Sequence, residues 1–190
     1  FPNQHIFEDG KLIMHSQLTD IEVLGLYEAL QQVKAQFFRL FELTEQMPVE
    51  DDPNETVQIR IYKNRDAYRF YNGFLFGAPS PGGGVFIEDA NTLNEDYATI
   101  YTWDREANES SYTLEELVRH EYVHYLQARY LIKGMWGQRA NPFYEEGRLI
   151  WFEEGMAEFF SGCTATEGII DKDVIKNHTK ITPSITLQEA

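Results

Sequence analysis

An α+β fold is the class this sequence predicts, on three observations. Apolar and aromatic residues recur at helical spacing over 20–43, short β-rich runs follow at 57–61 and 98–103, and two further helical stretches, 113–131 and 148–161, come last. A helix, then mixed strands, then two helices places the late helices together on one face of a mixed sheet.

Taken in order, the first helix carries Leu24, Tyr27, Leu30, Phe37, Phe38 and Phe41 on its core stripe, behind Asp20 as a candidate cap. Val57, Ile59 and Ile61 alternate as a strand does, and "NRDAYRFYNG" reads as a short helix stopped by Gly73. In "GAPSPGGGVFIED" a Pro- and Gly-rich loop feeds Val85, Phe86 and Ile87 and ends at Glu88. This is expected to be an edge strand, because glycines leave its backbone open to a partner. "ATIYTW" supplies another strand, and Thr113 with Glu116 forms a capping-box pattern at the head of the long helix.

A chain of 190 residues, 43% apolar and 14% aromatic, is long enough to bury one sizeable core, so a single domain over 1–190 is expected. No apolar run approaches the roughly 18 residues that span a bilayer, and "FPNQHIFEDG" lacks the basic and apolar regions of a secretory signal. Either the chain stays inside the cell or processing has removed its address. The formal charge of -15 argues against nucleic acid or an anionic membrane as partner, since both need basic patches. Acidic "PVEDDPNE" reads as a solvated loop. The single Cys163 cannot form an internal disulfide and reads as a buried thiol.

The chemistry lies in "VRHEYVHYLQ", where His120, Glu121 and His124 fit the H-E-x-x-H pattern in the middle of a capped helix. Residues four apart share a helix face, so both imidazoles can address one metal ion, and Glu121 can reach a water beside it. That is zinc-peptidase geometry: the metal acidifies a water and polarises the scissile carbonyl while the carboxylate carries the proton. Gln127 and Tyr130 stand where the metzincin continuation requires Gly and His, which excludes that subclass.

A catalytic zinc needs a third protein ligand, and "LIWFEEGMAEFF" offers two adjacent carboxylates. Glu153 shares its stripe with Ile150, Ala157 and Phe160, whereas Glu154 has Glu158 one turn later on its own face. A ligating His usually donates its other N–H to a carboxylate. Glu154 is therefore expected to be the ligand and Glu158 to hold His120 from behind, with Glu153 a charge reaching the helix edge. Gly155 is expected to make room where two helices approach.

The segments "GGGVFIE", "YTLEELVRHEYVHYLQARYLIKGMWGQ" and "FYEEGRLIWFEEGMAEFFSGCTATEGI", covering much of residues 82 to 170, resemble the bacterial collagenases, secreted gluzincin-type zinc metallopeptidases. The resemblance implies a zincin (thermolysin-like) fold, with 1–162 as the N-terminal peptidase subdomain and 163–190 as the start of an incomplete C-terminal one. It implies His120, His124 and Glu154 as zinc ligands and Glu121 as general acid/base. Gly83 and Gly84, with Val85 and Phe86, match its substrate-binding strand. It further implies a structural calcium held by Glu88 and by carbonyls of Ala128, Ile132 and Gly134. The implied substrate is collagen or gelatin, and the implied setting is extracellular, as a monomer with flanking domains. An oxyanion-facing Tyr of the family has no counterpart assigned within these residues.

The sequence departs from that pattern in three places. The connection carrying "QRANPFYEEG" is longer, Ala165 stands where Arg is usual, and the region from Glu88 to Tyr112 is extended. A zinc peptidase of the same fold with other substrates, or a matrix-binding module without hydrolysis, shares many of these features.

Overall fold

The computed structural model describes residues 1–50, 52, 54–76, 83–88, 98–106, 109–132 and 150–168. Five strands form one mixed sheet: β1 (Asn3–Phe7), β2 (Leu12–Ser16), β3 (Val57–Tyr62), β4 (Gly84–Ile87) and β5 (Ala98–Trp103). Their order is β1-β2-β3-β5-β4, with β2, β3 and β5 parallel and the two outer strands antiparallel to their neighbours. The described helices are α1 (Asp20–Phe41), α2 (Arg65–Phe76), α3 (Leu114–Tyr130) and α4 (Ile150–Ser161).

Strand alternation divides the core. Ile59, Ile61, Ile100 and Phe86 point into a large cluster shared with α1, α3 and α4, whereas Tyr62, Tyr101 and Trp103 form a second cluster with Tyr68 of α2. The late helices thus share one face, as the element order predicts, and α2 covers the other. Phe160 of α4 meets Phe37 of α1 at 5.3 Å between ring centroids. Burying a side chain of this size contributes about 2 kcal/mol.

α3 is the central element, packed against α1, α4, β4 and β5. Every residue from Leu117 to Tyr130 is buried except His120. The predicted capping box starts it: Thr113 Oγ1 accepts from the Glu116 N–H at 3.2 Å, and Glu116 Oε2 accepts from the Thr113 N–H at 2.8 Å. Side chains of α3 also tie both ends of α4. Gln127 Nε2 donates to the Glu153 carbonyl at 2.9 Å, and the Arg119 guanidinium donates to the Cys163 carbonyl. Cys163 is buried, as expected.

Several sequence expectations are corrected. The cap of α1 is Thr19, one residue before Asp20, with Glu22 completing a second capping box. Leu24 faces solvent at 51% exposure, and Val23, Leu26 and Val33 join the expected Leu30 and Phe37 on the core stripe. α2 runs through Gly73 to Phe76, because one interior glycine costs only about 1 kcal/mol against Ala. Strands β1 and β2 lie in a stretch where the sequence predicts no element. The acidic stretch before β3 is not all solvated: Asp52 is ion-paired with Arg129, and Asn54 is buried. Among the described residues no helix is long and apolar enough to cross a membrane.

Candidate metal centre

The i, i+4 spacing in α3 sets the His120 and His124 rings 5.0 Å apart, facing α4. Glu154 of α4 lies between them. His120 Nε2 is 3.2 Å from Glu154 Oε2, and His124 Nε2 is 3.6 Å from Glu154 Oε1. One potential ligand atom from each of the three residues falls within 4.8 Å of the other two. Hydrogen bonds from His120 and then His124 hold the Glu154 carboxyl well below the usual carboxylate range.

The far side of each ring is held as well. His120 Nδ1 is 3.5 Å from Glu158 Oε1, and the Tyr112 hydroxyl donates to that same oxygen at 3.2 Å. His124 Nδ1 is 2.9 Å from Gln127 Oε1. The Gln127 amide orientation is dictated by its other bond, since the Glu153 carbonyl needs a donor and only Nε2 can supply one. Oε1 must then accept from His124 Nδ1–H, which turns Nε2 toward Glu154. Two imidazole Nε2 atoms and a carboxylate make a donor set suited to zinc. Burial lowers the His124 pKa, but Glu154, the charge of Glu121 and Gln127 outweigh it, and the net shift is upward.

Glu121 projects toward β4. It is buried, at 7% exposure, and accepts a hydrogen bond from the backbone N–H of Phe86. Burial raises its pKa; the His124 and His120 imidazoles and the Phe86 N–H act in the opposite direction and do not cancel it. Because Phe86 turns its N–H away from β5 to Glu121, the antiparallel alternation puts the backbone groups of Gly84 on that same side, an edge that no described strand covers. A Cβ on Gly84 would lie 3.0 Å from Glu121 Oε1 and 3.0 Å from Leu117 Cδ2. This is a close approach that glycine permits. A cleft of about 450 Å³ opens beside His120 and Glu158, with Gly83, Trp103, Tyr112 and Leu117 among its walls.

Glu88 is buried at the end of β4, where Asn54 Nδ2 donates to its Oε1 at 2.9 Å. At the end of α3 the Ile132 N–H bonds to the Gln127 carbonyl at 2.9 Å, bypassing the Ala128 carbonyl that a continuing helix would use. Gly134 lies outside the described residues, as do Glu145 and Glu146.

Two expectations about α4 change. Glu153 does not reach the helix edge but is buried at 2% exposure, because the stripe it shares with Ala157 and Phe160 is the one facing the core. Gly155 makes no room for a neighbouring helix: a Cβ there would meet nothing within 4 Å. Spacing did carry a signal for Gln127, one turn beyond His124, but residue type alone does not reveal it. The Phe86 contact to Glu121 is a backbone bond and leaves no side-chain signature.

A profile of the collagenase family, peptidase M9, matches residues 1–188. The chain belongs to that family. Collagenase ColA of Clostridium perfringens is 41% identical over 170 residues, 88% of this chain and 14% of the relative. Collagenase ColT of Clostridium tetani is 36% identical over 183 residues, 94% of this chain and 17% of the relative. Collagenase ColA of Bacillus cereus is 35% identical over 173 residues, 90% of this chain and 17% of the relative. This collagenase-family chain therefore spans only about a sixth of the length of the curated relatives it matches.

Proposed function

We propose that this chain is the zinc-binding part of an endopeptidase that hydrolyses collagen and gelatin. The observation that carries the reading is the convergence of His120, His124 and Glu154 beside buried Glu121, against the open edge of β4, in a chain of the collagenase family. We read the sheet and its two site helices as a zincin (thermolysin-like) N-terminal subdomain over 1–162, with 163–190 beginning the next subdomain.

His120, His124 and Glu154 hold the zinc in this proposal, with Glu158 and Gln127 fixing the two rings from behind. When bound, zinc supplies Lewis acidity, which lowers the pKa of a water to about 7 and polarises the scissile carbonyl. Glu121 takes the proton from the attacking water and returns it to the leaving amine. Its burial shifts its basicity toward neutral pH, which suits that task. The peptide lies antiparallel to β4 as an added strand, pairing first with the edge-facing backbone groups of Gly84, since the Phe86 N–H is already taken by Glu121. The glycine at 84 lets it run close to Glu121.

Glu88 and the Ala128 carbonyl that Ile132 bypasses, with Ile132 and Gly134, are the proposed calcium ligands; an oxygen-only donor set of this kind suits that cation. The protein is proposed to act outside the cell as a monomer with flanking domains.

The test joins metal analysis with cleavage of gelatin, casein and a collagen-like peptide, with and without chelator, on this chain and on a longer one. One zinc per chain, chelator-sensitive cleavage of gelatin and a silent, zinc-loaded Glu121→Gln protein are expected. Full turnover by Glu121→Gln overturns the role of that carboxylate. Cleavage of casein without gelatin overturns the substrate, and zinc binding with no hydrolysis in either chain overturns the activity.

A further inference from the structure

The two adjacent glycines at the mouth of β4 stand in different surroundings. A Cβ on Gly84 would press on Glu121 and Leu117, whereas one on Gly83 would lie 2.7 Å from Arg105 Nη1. The carbonyl of Gly83 accepts two hydrogen bonds, from Arg105 Nη2 at 2.6 Å and from Thr102 Oγ1 at 2.9 Å. A carbonyl oxygen has two lone pairs, so this one is saturated.

Arg105 is itself immobilised. Its Nη2 also donates to Thr102 Oγ1 at 2.8 Å, its Nε to the Trp103 carbonyl at 3.2 Å, and its Nη1 to Ser110 Oγ at 3.4 Å. The guanidinium also lies over the Trp103 ring, 4.2 Å from the centroid. Thr102 is the register partner of Gly84, so Arg105 grips the first rung of the β4–β5 ladder.

We propose that Arg105 is a positioning residue that fixes where peptide pairing along β4 begins, by drawing the Gly83 carbonyl away from the open edge. Pairing then starts at Gly84, whose backbone groups lie on the open edge beside Glu121. A slip of one residue in β4 would invert every backbone group along it and bring a side chain, in place of Gly84, against Glu121. Within the proposed peptidase reading, on which this rests, Gly83 gives space to the guanidinium and Gly84 gives space to the base. The substrate hydrogen-bonds to the second glycine and not to the carbonyl of the first.

The experiment uses the full chain with Arg105→Ala, Arg105→Lys, Gly83→Ala and the double variant Gly83→Ala/Arg105→Ala. Zinc content, KM and kcat on an extended gelatin-derived peptide, and amide exchange across 84–87 are measured on each. Arg105→Ala is expected to keep its zinc, raise KM about tenfold and change kcat by less than about threefold. Val85 and Ile87 amides should exchange about tenfold faster while Leu126 in α3 is unchanged. Arg105→Lys, which keeps one cation but cannot span the same acceptors, should fall between, and covers the case in which the Ala protein fails to fold. Gly83→Ala should resemble Arg105→Ala, and the double variant should be no worse than either single one. Unchanged exchange and KM in both Arg105 variants, or additive effects of Gly83 and Arg105, overturns the proposal. If no protein, wild type included, cleaves the peptide, the peptidase reading falls, and exchange along β4 still decides whether Arg105 holds the strand.

Discussion

Replacing Gln127 by Leu removes one side chain and two buried hydrogen bonds without changing volume greatly. Gln127 has no exposed surface, and its bonds to His124 Nδ1 and to the Glu153 carbonyl are both 2.9 Å long. Each bond is worth about 1 kcal/mol net, and stranding a buried partner adds about 1 kcal/mol more, so the total is about 3 kcal/mol. For a chain of this length that lowers Tm by about 6–12 °C. The other half of the effect falls on the metal. Losing the acceptor behind a ligating His costs about 10- to 100-fold in affinity, to be read by competition against a zinc buffer. Gln127→Glu separates the two contributions. Its carboxylate still accepts from His124 but cannot donate to Glu153, so zinc affinity should stay within about threefold of wild type while Tm falls. Wild-type zinc affinity in Gln127→Leu, or equal losses in both variants, would show that Gln127 does not orient His124.

Other expectations concern single positions. Glu154→Ala should lose zinc on metal analysis, whereas Glu153→Ala should keep it and show a lower Tm, because Glu153 is buried. Gly155→Ala should raise stability by about 0.5–1 kcal/mol in denaturant titration, since its Cβ meets open space and the unfolded chain loses freedom. Lys34 bonds to Glu8 and Glu45. Burial pulls its pKa down, but those bonds outweigh it and the net shift is upward; the Glu45 carboxyl is lowered, chiefly by its bond to Lys34. The Glu45 contribution is complete above about pH 4.3 and fades as pH falls, and that of Lys34 is complete below about pH 10.4 and fades as pH rises. Lys34→Met should therefore cost about 1–2 kcal/mol at pH 7, discounted for partial exposure, and less at pH 3 in the same titration.

What the sequence disclosed follows how locally each feature is encoded. α3 is legible because its capping box, its apolar content and the His120–His124 spacing all lie within one helix. β3 and β5 are legible from β-branched and aromatic residues over a short run. In β2, Leu12, Met14 and Ser16 alternate as buried residues, but the pattern is brief and is blurred by apolar Ile13 on the other face and polar Ser16 on the buried one. The face argument puts Glu153 and Glu154 on different stripes, and Glu154 does lie beside His120 and His124, yet which stripe of α4 faces the core depends on where α1 and α3 lie, and no local pattern contains that. Asp52 looked like solvent-facing charge until the distant Arg129 supplied its partner. The Phe86 N–H on Glu121 and the displaced bond at Ala128 are main-chain events, and main-chain groups are the same in every residue.

Two of the ties from α3 end on main-chain carbonyls, that of Glu153 in α4 and that of Cys163 just beyond it. Every amino acid carries that carbonyl, so no substitution within α4 can delete an acceptor. For these two ties the vulnerability is one-sided: the side chains at 153 and 163 can change without removing the acceptor, but Arg119 and Gln127 cannot change without removing the donor. The helix that bears the histidines therefore also holds the residues by which its partner is kept in reach, and mutational tolerance in this half of the molecule should divide along the seam between them.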